Sequence, residues 1–137
     1  MQMFVNLPVG DLPRSVAFFR ALGFDFDDKF TDETAACMKV RDDQLVMLLT
    51  REKFSQFTAR PVADATQATE VLVAVALDNR GDVDVMVDKA LAAGGTKGAW
   101  ADDYGFMYGR SFSDPDGHIW EMFWMDPKFE GGCDGGN

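Results

Sequence analysis

The chain's one histidine, His118, stands three residues before a carboxylate, Glu121, in the run Asp114-Pro115-Asp116-Gly117-His118-Ile119-Trp120-Glu121. An imidazole and a carboxylate together can move a proton or hold a metal ion, provided that both lie on one side of the backbone. On a strand the side chains alternate, so an odd spacing sends His118 and Glu121 to opposite faces. Glu121 shares its face with Ile119 and Phe123; His118 shares the other with Trp120 and Met122. A carboxylate set among large apolar groups on a late strand is a ligand-binding group, a catalytic group or half of a buried ion pair. Other reactive groups are sparse. Cys37 falls in a strand with no histidine partner and reads as a small hydrophobe, Cys133 lies in a Gly-rich tail, and the two do not make a disulfide framework. There is no phosphate-binding Gly-rich loop, Walker pattern or Ser-His-Asp arrangement.

The turn ahead of Glu121 decides what it meets. Pro115 presets the first turning residue, and Gly117 supplies the positive φ that closes the turn. If Pro115-Asp116-Gly117 forms a three-residue turn, Ser111 sits opposite Glu121 and Phe112 joins Trp120 beneath a helix. A four-residue loop would put Arg110 opposite Glu121 and make an ion pair. The first register is preferred because it buries Phe112. His118, beside the turn, is expected at the surface or as a capping residue. Upstream, Trp100–Arg110 is rich in aromatics and glycines. It reads either as a rim over a groove, with Tyr104 or Tyr108 touching a ligand, or as a hairpin whose glycines merely permit the turn.

The elements that must position these groups occur twice in the same order. Phe4–Val9 reads as a strand, Asp11 as a helix N-cap with Pro13 in the first turn, and Leu12, Val16, Phe19 and Leu22 as a helical stripe stopped by Gly23. Strands follow at Phe24–Phe30, Ala35–Val40 and Gln44–Leu49. A connection of about 20 residues is too long for an ordinary loop and predicts a short helix, with Phe54 and Phe57 to pack it down. The second unit opens with the strand Glu70–Leu77 and a helix carrying Val83, Met86 or Val87, Ala90 and Leu91, stopped by Gly94-Gly95. It continues through strands near Thr96–Trp100, Phe106–Phe112 and His118–Trp124. Two βαβββ repeats make an α+β domain whose helices can cover only one sheet face, leaving the other concave. The expected division is one domain over 1–126, with repeats at about 3–50 and 70–126, a connection over 51–69, and a flexible tail over 127–137.

Bulk properties narrow the partners. A chain of 137 residues suits one domain able to bury a core without disulfides or metal. A net charge of −10 argues against nucleic acid and anionic membranes. No apolar run reaches the length of a membrane span, the N-terminus lacks a signal-peptide pattern, and a reduced cytoplasm is the expected compartment.

Asn6-Leu7-Pro8-Val9-Gly10-Asp11-Leu12-Pro13-Arg14-Ser15-Val16-Ala17-Phe18-Phe19, with Leu22-Gly23-Phe24 after it, resembles the opening of the vicinal oxygen chelate superfamily. That group contains glyoxalase I, the extradiol dioxygenases and the bleomycin-resistance proteins. Asp114 through Glu121 resembles its closing hairpin, and the chain is similar to small bacterial proteins described as predicted lactoylglutathione lyases. The resemblance implies a glyoxalase-type concave sheet and, in metal-using members, four ligands on the first and fourth strands of each half. Here those positions are Phe4, Met47, Leu72 and Glu121. Only Glu121 could coordinate, so no metal or other cofactor is expected. What remains is an apolar groove with Phe4, Asn6, Met47, Leu72, Tyr104, Tyr108, Ser111, Glu121 and Phe123 as candidate ligand contacts and Glu121 as the candidate catalytic group. The expected function is to bind or transform a small, partly apolar molecule without metal, as a homodimer whose partner closes the half-open sheets. If it is an enzyme, it is a glyoxalase-related lyase or isomerase. The alternatives are a metal-dependent lactoylglutathione lyase or dioxygenase and a sequestering protein of the bleomycin-resistance type.

Overall fold

A computed structural model describes residues 1–129. Strand β1 (Met3–Val9) leads into α1 (Leu12–Ala21), whose N-cap is Asp11: its carboxylate accepts from the Arg14 amide at 3.0 Å. Leu12, Ser15, Phe18 and Phe19 form the buried stripe of α1, and Gly23, at φ +102°, turns the chain out of the helix. β2 (Asp25–Asp27), β3 (Ala35–Arg41) and β4 (Gln44–Thr50) complete the first repeat. The second repeat contains β5 (Leu72–Ala76), α3 (Arg80–Ala92), β6 (Thr96–Asp103), β7 (Met107–Ser113) and β8 (Ile119–Met125). Between them lies α2 (Arg51–Ser55), capped by the Thr50 hydroxyl, which accepts from the Lys53 amide at 3.1 Å.

Each repeat folds into one four-stranded sheet, ordered β1-β4-β3-β2 and β5-β8-β7-β6. The first and last strands of each repeat pair in parallel, and the other pairs are antiparallel. Alternation then sorts the side chains. Leu7, Val9, Ala36, Met38, Val46 and Leu48 join Phe112, Trp120 and Met122 in one core with the helices. α1 reaches across the repeats: the Phe19 ring lies 4.9 Å from Trp120 and the Phe18 ring 6.0 Å from Phe112, centroid to centroid. The opposite faces present Phe4, Asn6, Pro8 and Met47 from one sheet and Leu72, Ala74, Ala76, Ile119, Glu121 and Phe123 from the other.

Three expectations change. The strand placed at Phe24–Phe30 is only Asp25–Asp27, because the Asp27 carboxylate accepts from the Lys29 amide at 3.0 Å and turns Asp28–Phe30 into a 3-10 helix. Phe57 does not pack the connection down; it is exposed, with Lys53 over its ring. Arg51 performs that closure, donating to the Val62 and Ala63 carbonyls at 3.0 and 3.2 Å. The described chain also continues past Asp126, with Phe129 stacked on Phe106 at 3.9 Å between ring centroids. Cys133 and the rest of the expected flexible tail lie outside the described residues.

Candidate functional site

The closing hairpin adopts the three-residue turn. Gly117 sits at φ +93°, its amide donates to the Asp114 carbonyl at 2.9 Å, and the register sets Ser111 opposite Glu121 and Phe112 opposite Trp120. Arg110 is thereby turned to the helix side, where it meets Asp84 at 2.8 Å and Asp88 at 3.2 Å on α3. Glu121 is half-buried, and among the described residues no cation pairs with it and no side chain hydrogen-bonds to it.

The two aspartates of the turn are structural, a role the sequence reading did not see. The Asp114 carboxylate, 4% exposed, accepts from the amides of Asp116 and His118 at 3.0 Å each and from the Trp120 indole at 3.1 Å. Burial pushes its carboxyl above the usual range, against the pull of those donors. Asp116 ties the hairpin to the start of α1: its carboxylate accepts from the Gly10 amide at 2.7 Å, Arg14 at 3.2 Å and the Ser15 hydroxyl at 3.1 Å. His118 is not a surface or capping residue. It is 8% exposed, and its Nε2 lies 2.7 Å from the Pro8 carbonyl, which can only accept, so Nε2 carries the proton. It joins the start of β8 to the end of β1.

The structure separates the expected ligand contacts. Tyr108 points away from the groove. Its hydroxyl donates to Asp84 at 2.6 Å and its ring lies under Arg80, 4.6 Å from the guanidinium carbon. The Tyr108 and Arg110 hydrogen bonds hold the Asp84 carboxyl below its ordinary value, and Asp84 in turn raises Tyr108. Tyr104 is exposed at the β6–β7 tip, stacked on Phe106 at 6.1 Å. Ser111 faces the groove but is buried, its hydroxyl accepting from the Trp100 amide at 3.1 Å and donating to the Trp100 carbonyl at 3.3 Å. Phe4, Asn6, Met47, Leu72, Glu121 and Phe123 do lie on the groove side.

Two clefts border β1, the larger between it and β5 and the smaller between it, the connection before β5 and the start of β8. One of about 750 Å³ is lined by Met3, Val5, Leu45, Ala74, Ala76 and Phe123, and one of about 360 Å³ by Asn6, Pro8, Phe54, Val71, His118 and Ile119. Glu121 lines neither; on β8 it stands between Ile119 of the smaller cleft and Phe123 of the larger. Phe4, Met47 and Leu72 also line neither, so these four groups occupy an open surface rather than one pocket.

Trp100 belongs to that surface and was not singled out from the sequence. A bulge in the β6–β7 pairing between Lys97 and Ala101, built around the Ser111 hydroxyl, swings the indole onto Gly109, where any Cβ would collide with the ring. The indole N–H donates to Asp102 at 2.6 Å. Cys37 is fully buried, and desolvation pushes its thiol up, away from nucleophilic use.

The donor set does not suit a divalent ion. A catalytic metal takes about three His, Cys or carboxylate ligands, whereas Phe4, Met47 and Leu72 offer at best a thioether beside Glu121. Among the described residues no three His, Cys, Asp or Glu side chains gather at one point. No described helix is long and apolar enough to cross a membrane.

No curated protein matches the chain by sequence. Among solved structures it is similar to hypothetical protein SA1046 from S. aureus, with 26% identity, a TM-score of 0.77, and coverage of 90% of this chain and 93% of that one. A glyoxalase-related enzyme from Fulvimarina pelagi gives 21% identity and a TM-score of 0.75, covering 90% of this chain and 87% of that one. A structure named lactoylglutathione lyase from Agrobacterium tumefaciens gives 20% and 0.68, covering 95% and 98%. At those last two identities the likeness shows the fold alone. The family model described as glyoxalase/bleomycin resistance protein/dioxygenase superfamily matches residues 3–122, and with its two βαβββ halves the chain belongs to that superfamily.

Proposed function

We propose that the groove binds a small, partly apolar molecule without a divalent metal, and that Glu121 is the polar group that orients it. The observation that carries this reading is the contrast among the four positions where metal-using relatives would place ligands. Three are Phe4, Met47 and Leu72, and the fourth is a half-buried carboxylate with no cation beside it among the described residues. Such a surface exchanges water for an apolar ligand and keeps one charge for orientation. Conversion of the bound molecule without metal would make the protein a lyase or isomerase; release unchanged would make it a sequestering protein. Metal-dependent lyase or dioxygenase chemistry is the reading that the donor set disfavours.

A homodimer fits the same surface. Phe4 is 44% exposed and Leu72 53%, and β1 and β5 each have an unpaired edge. A second copy would cover them and wall the groove. The free thiol of Cys37 suits the cytoplasm.

Glu121→Gln tests the central role. The variant keeps the side-chain shape and removes the charge, so its melting temperature is expected within about 2 °C of the parent. Binding of groove ligands found by an NMR fragment screen is expected to change about tenfold. A stability loss of several kcal/mol with unchanged ligand binding would make Glu121 a structural residue.

A further inference from the structure

We infer that the ligand is an organic cation, an amine carried on an aromatic or apolar body, held between the Trp100 indole and the Glu121 carboxylate. The inference rests on the groove reading above and adds the charge and shape of what the groove takes.

The geometry of the second repeat carries it. On the groove face of the second sheet, β7 contributes Gly109 and Ser111. Glycine at 109 leaves an empty site, and the six-membered ring of Trp100 fills it. Gly98 leaves a second gap that admits the Ser111 hydroxyl, which fixes the Trp100 backbone through both its amide and its carbonyl. Trp100 is thus set by three hydrogen bonds: its amide donates to the Ser111 hydroxyl, its carbonyl accepts from that hydroxyl, and its indole N–H donates to Asp102. It is half-buried, and beside it Gly109 pairs with Phe123 and Ser111 with Glu121. A ring locked in this way and left partly open is a preorganised stacking surface.

The charges around that ring have one sign. Asp102 holds its edge and Glu121 stands one pair further along β8, while the two arginines of this half are committed on the helix side, Arg80 to Asp103 and Arg110 to Asp84 and Asp88, and among the described residues no lysine pairs with Asp102 or Glu121. A net charge of −10 adds a field that draws cations in and turns anions away. A π-face beside a carboxylate lacking its counter-charge is the arrangement that recognises an ammonium group.

Three water-soluble probes that share a phenylethyl body separate the possibilities: 2-phenylethylamine, 2-phenylethanol and the slightly larger 3-phenylpropanoate. Each is titrated into the full-length protein and followed by NMR shifts of the groove residues and by Trp fluorescence. The amine is expected to bind about tenfold tighter than the alcohol, and the carboxylate not to bind in the millimolar range. Glu121→Gln should bring amine and alcohol to within about twofold. Trp100→Leu should weaken both several-fold, and Trp100→Phe should restore part of the loss. If the alcohol binds as tightly as the amine, or Glu121→Gln leaves the preference in place, the cation inference fails while the groove reading stands. If none of the three probes moves a groove residue, both fail.

Discussion

Replacing Asp114 by alanine is expected to lower the stability of the protein by about 3–5 kcal/mol, the largest loss for removing any single polar side chain. The carboxylate accepts from two backbone amides and from the Trp120 indole, and all three donors lie where water does not reach easily. Removing it strands them at about 1–3 kcal/mol each, partly relieved by local rearrangement. Asparagine is the informative control. Its carbonyl oxygen can keep the two backbone amides, but its NH₂ faces the indole N–H donor to donor, so the loss is expected to be about 1–3 kcal/mol. Urea denaturation of both variants checks the order. Equal losses, or an alanine variant within 1 kcal/mol of the parent, would show that the turn does not depend on this carboxylate.

Phe19→Ala is expected to cost about 3–5 kcal/mol as well, by a different mechanism. Phe19 is fully buried on the first repeat's helix and lies against Phe18 at 4.9 Å, Phe24 at 6.0 Å and Trp120 of the second repeat at 4.9 Å. Truncation leaves a cavity at the place where the halves meet, and aromatic packing is lost on both sides of it. Because one core spans both repeats, the parent and the variant should each unfold in a single transition seen alike by tryptophan fluorescence and circular dichroism. Two separated transitions in the parent would mean that the repeats are independent units.

Much of this architecture was legible in the sequence, and what was missed has identifiable causes. The hairpin register could be read because only one alternative buried Phe112 against Trp120, and that alternative also dismissed Arg110 from Glu121. The N-cap at Asp11 and the stops at Gly23 and Gly94 are local signals, readable in a few residues. His118 was misjudged because its partner, the Pro8 carbonyl, is 110 residues away and nothing local announces it. The outward place of Tyr108 was readable from that same hairpin register: with Ser111 opposite Glu121, alternation makes Gly109 and Ser111 the inward positions of β7 and turns Tyr108 to the helix side. Within the Trp100–Arg110 segment, the place of Trp100 over Gly109 cannot be counted out from the sequence, because the pairing of β6 with β7 shifts between Lys97 and Ala101. Its signal is the pair Gly98 and Gly109, two gaps that side chains of the neighbouring strand enter, Ser111 at the first and Trp100 at the second. At the groove, apolar residues at three inherited ligand positions were readable directly, while the two clefts around Glu121 depend on how the sheets meet.

The most direct test of a groove that works without metal is calorimetric titration of Zn²⁺, Ni²⁺ and Mn²⁺ into chelator-treated, tag-free protein, alongside Glu121→Gln. The account predicts no saturable one-to-one uptake at the groove and the same heats for parent and variant, because Phe4, Met47 and Leu72 supply no hard or imidazole donor. One-to-one binding of any of these ions, abolished by Glu121→Gln, would contradict it.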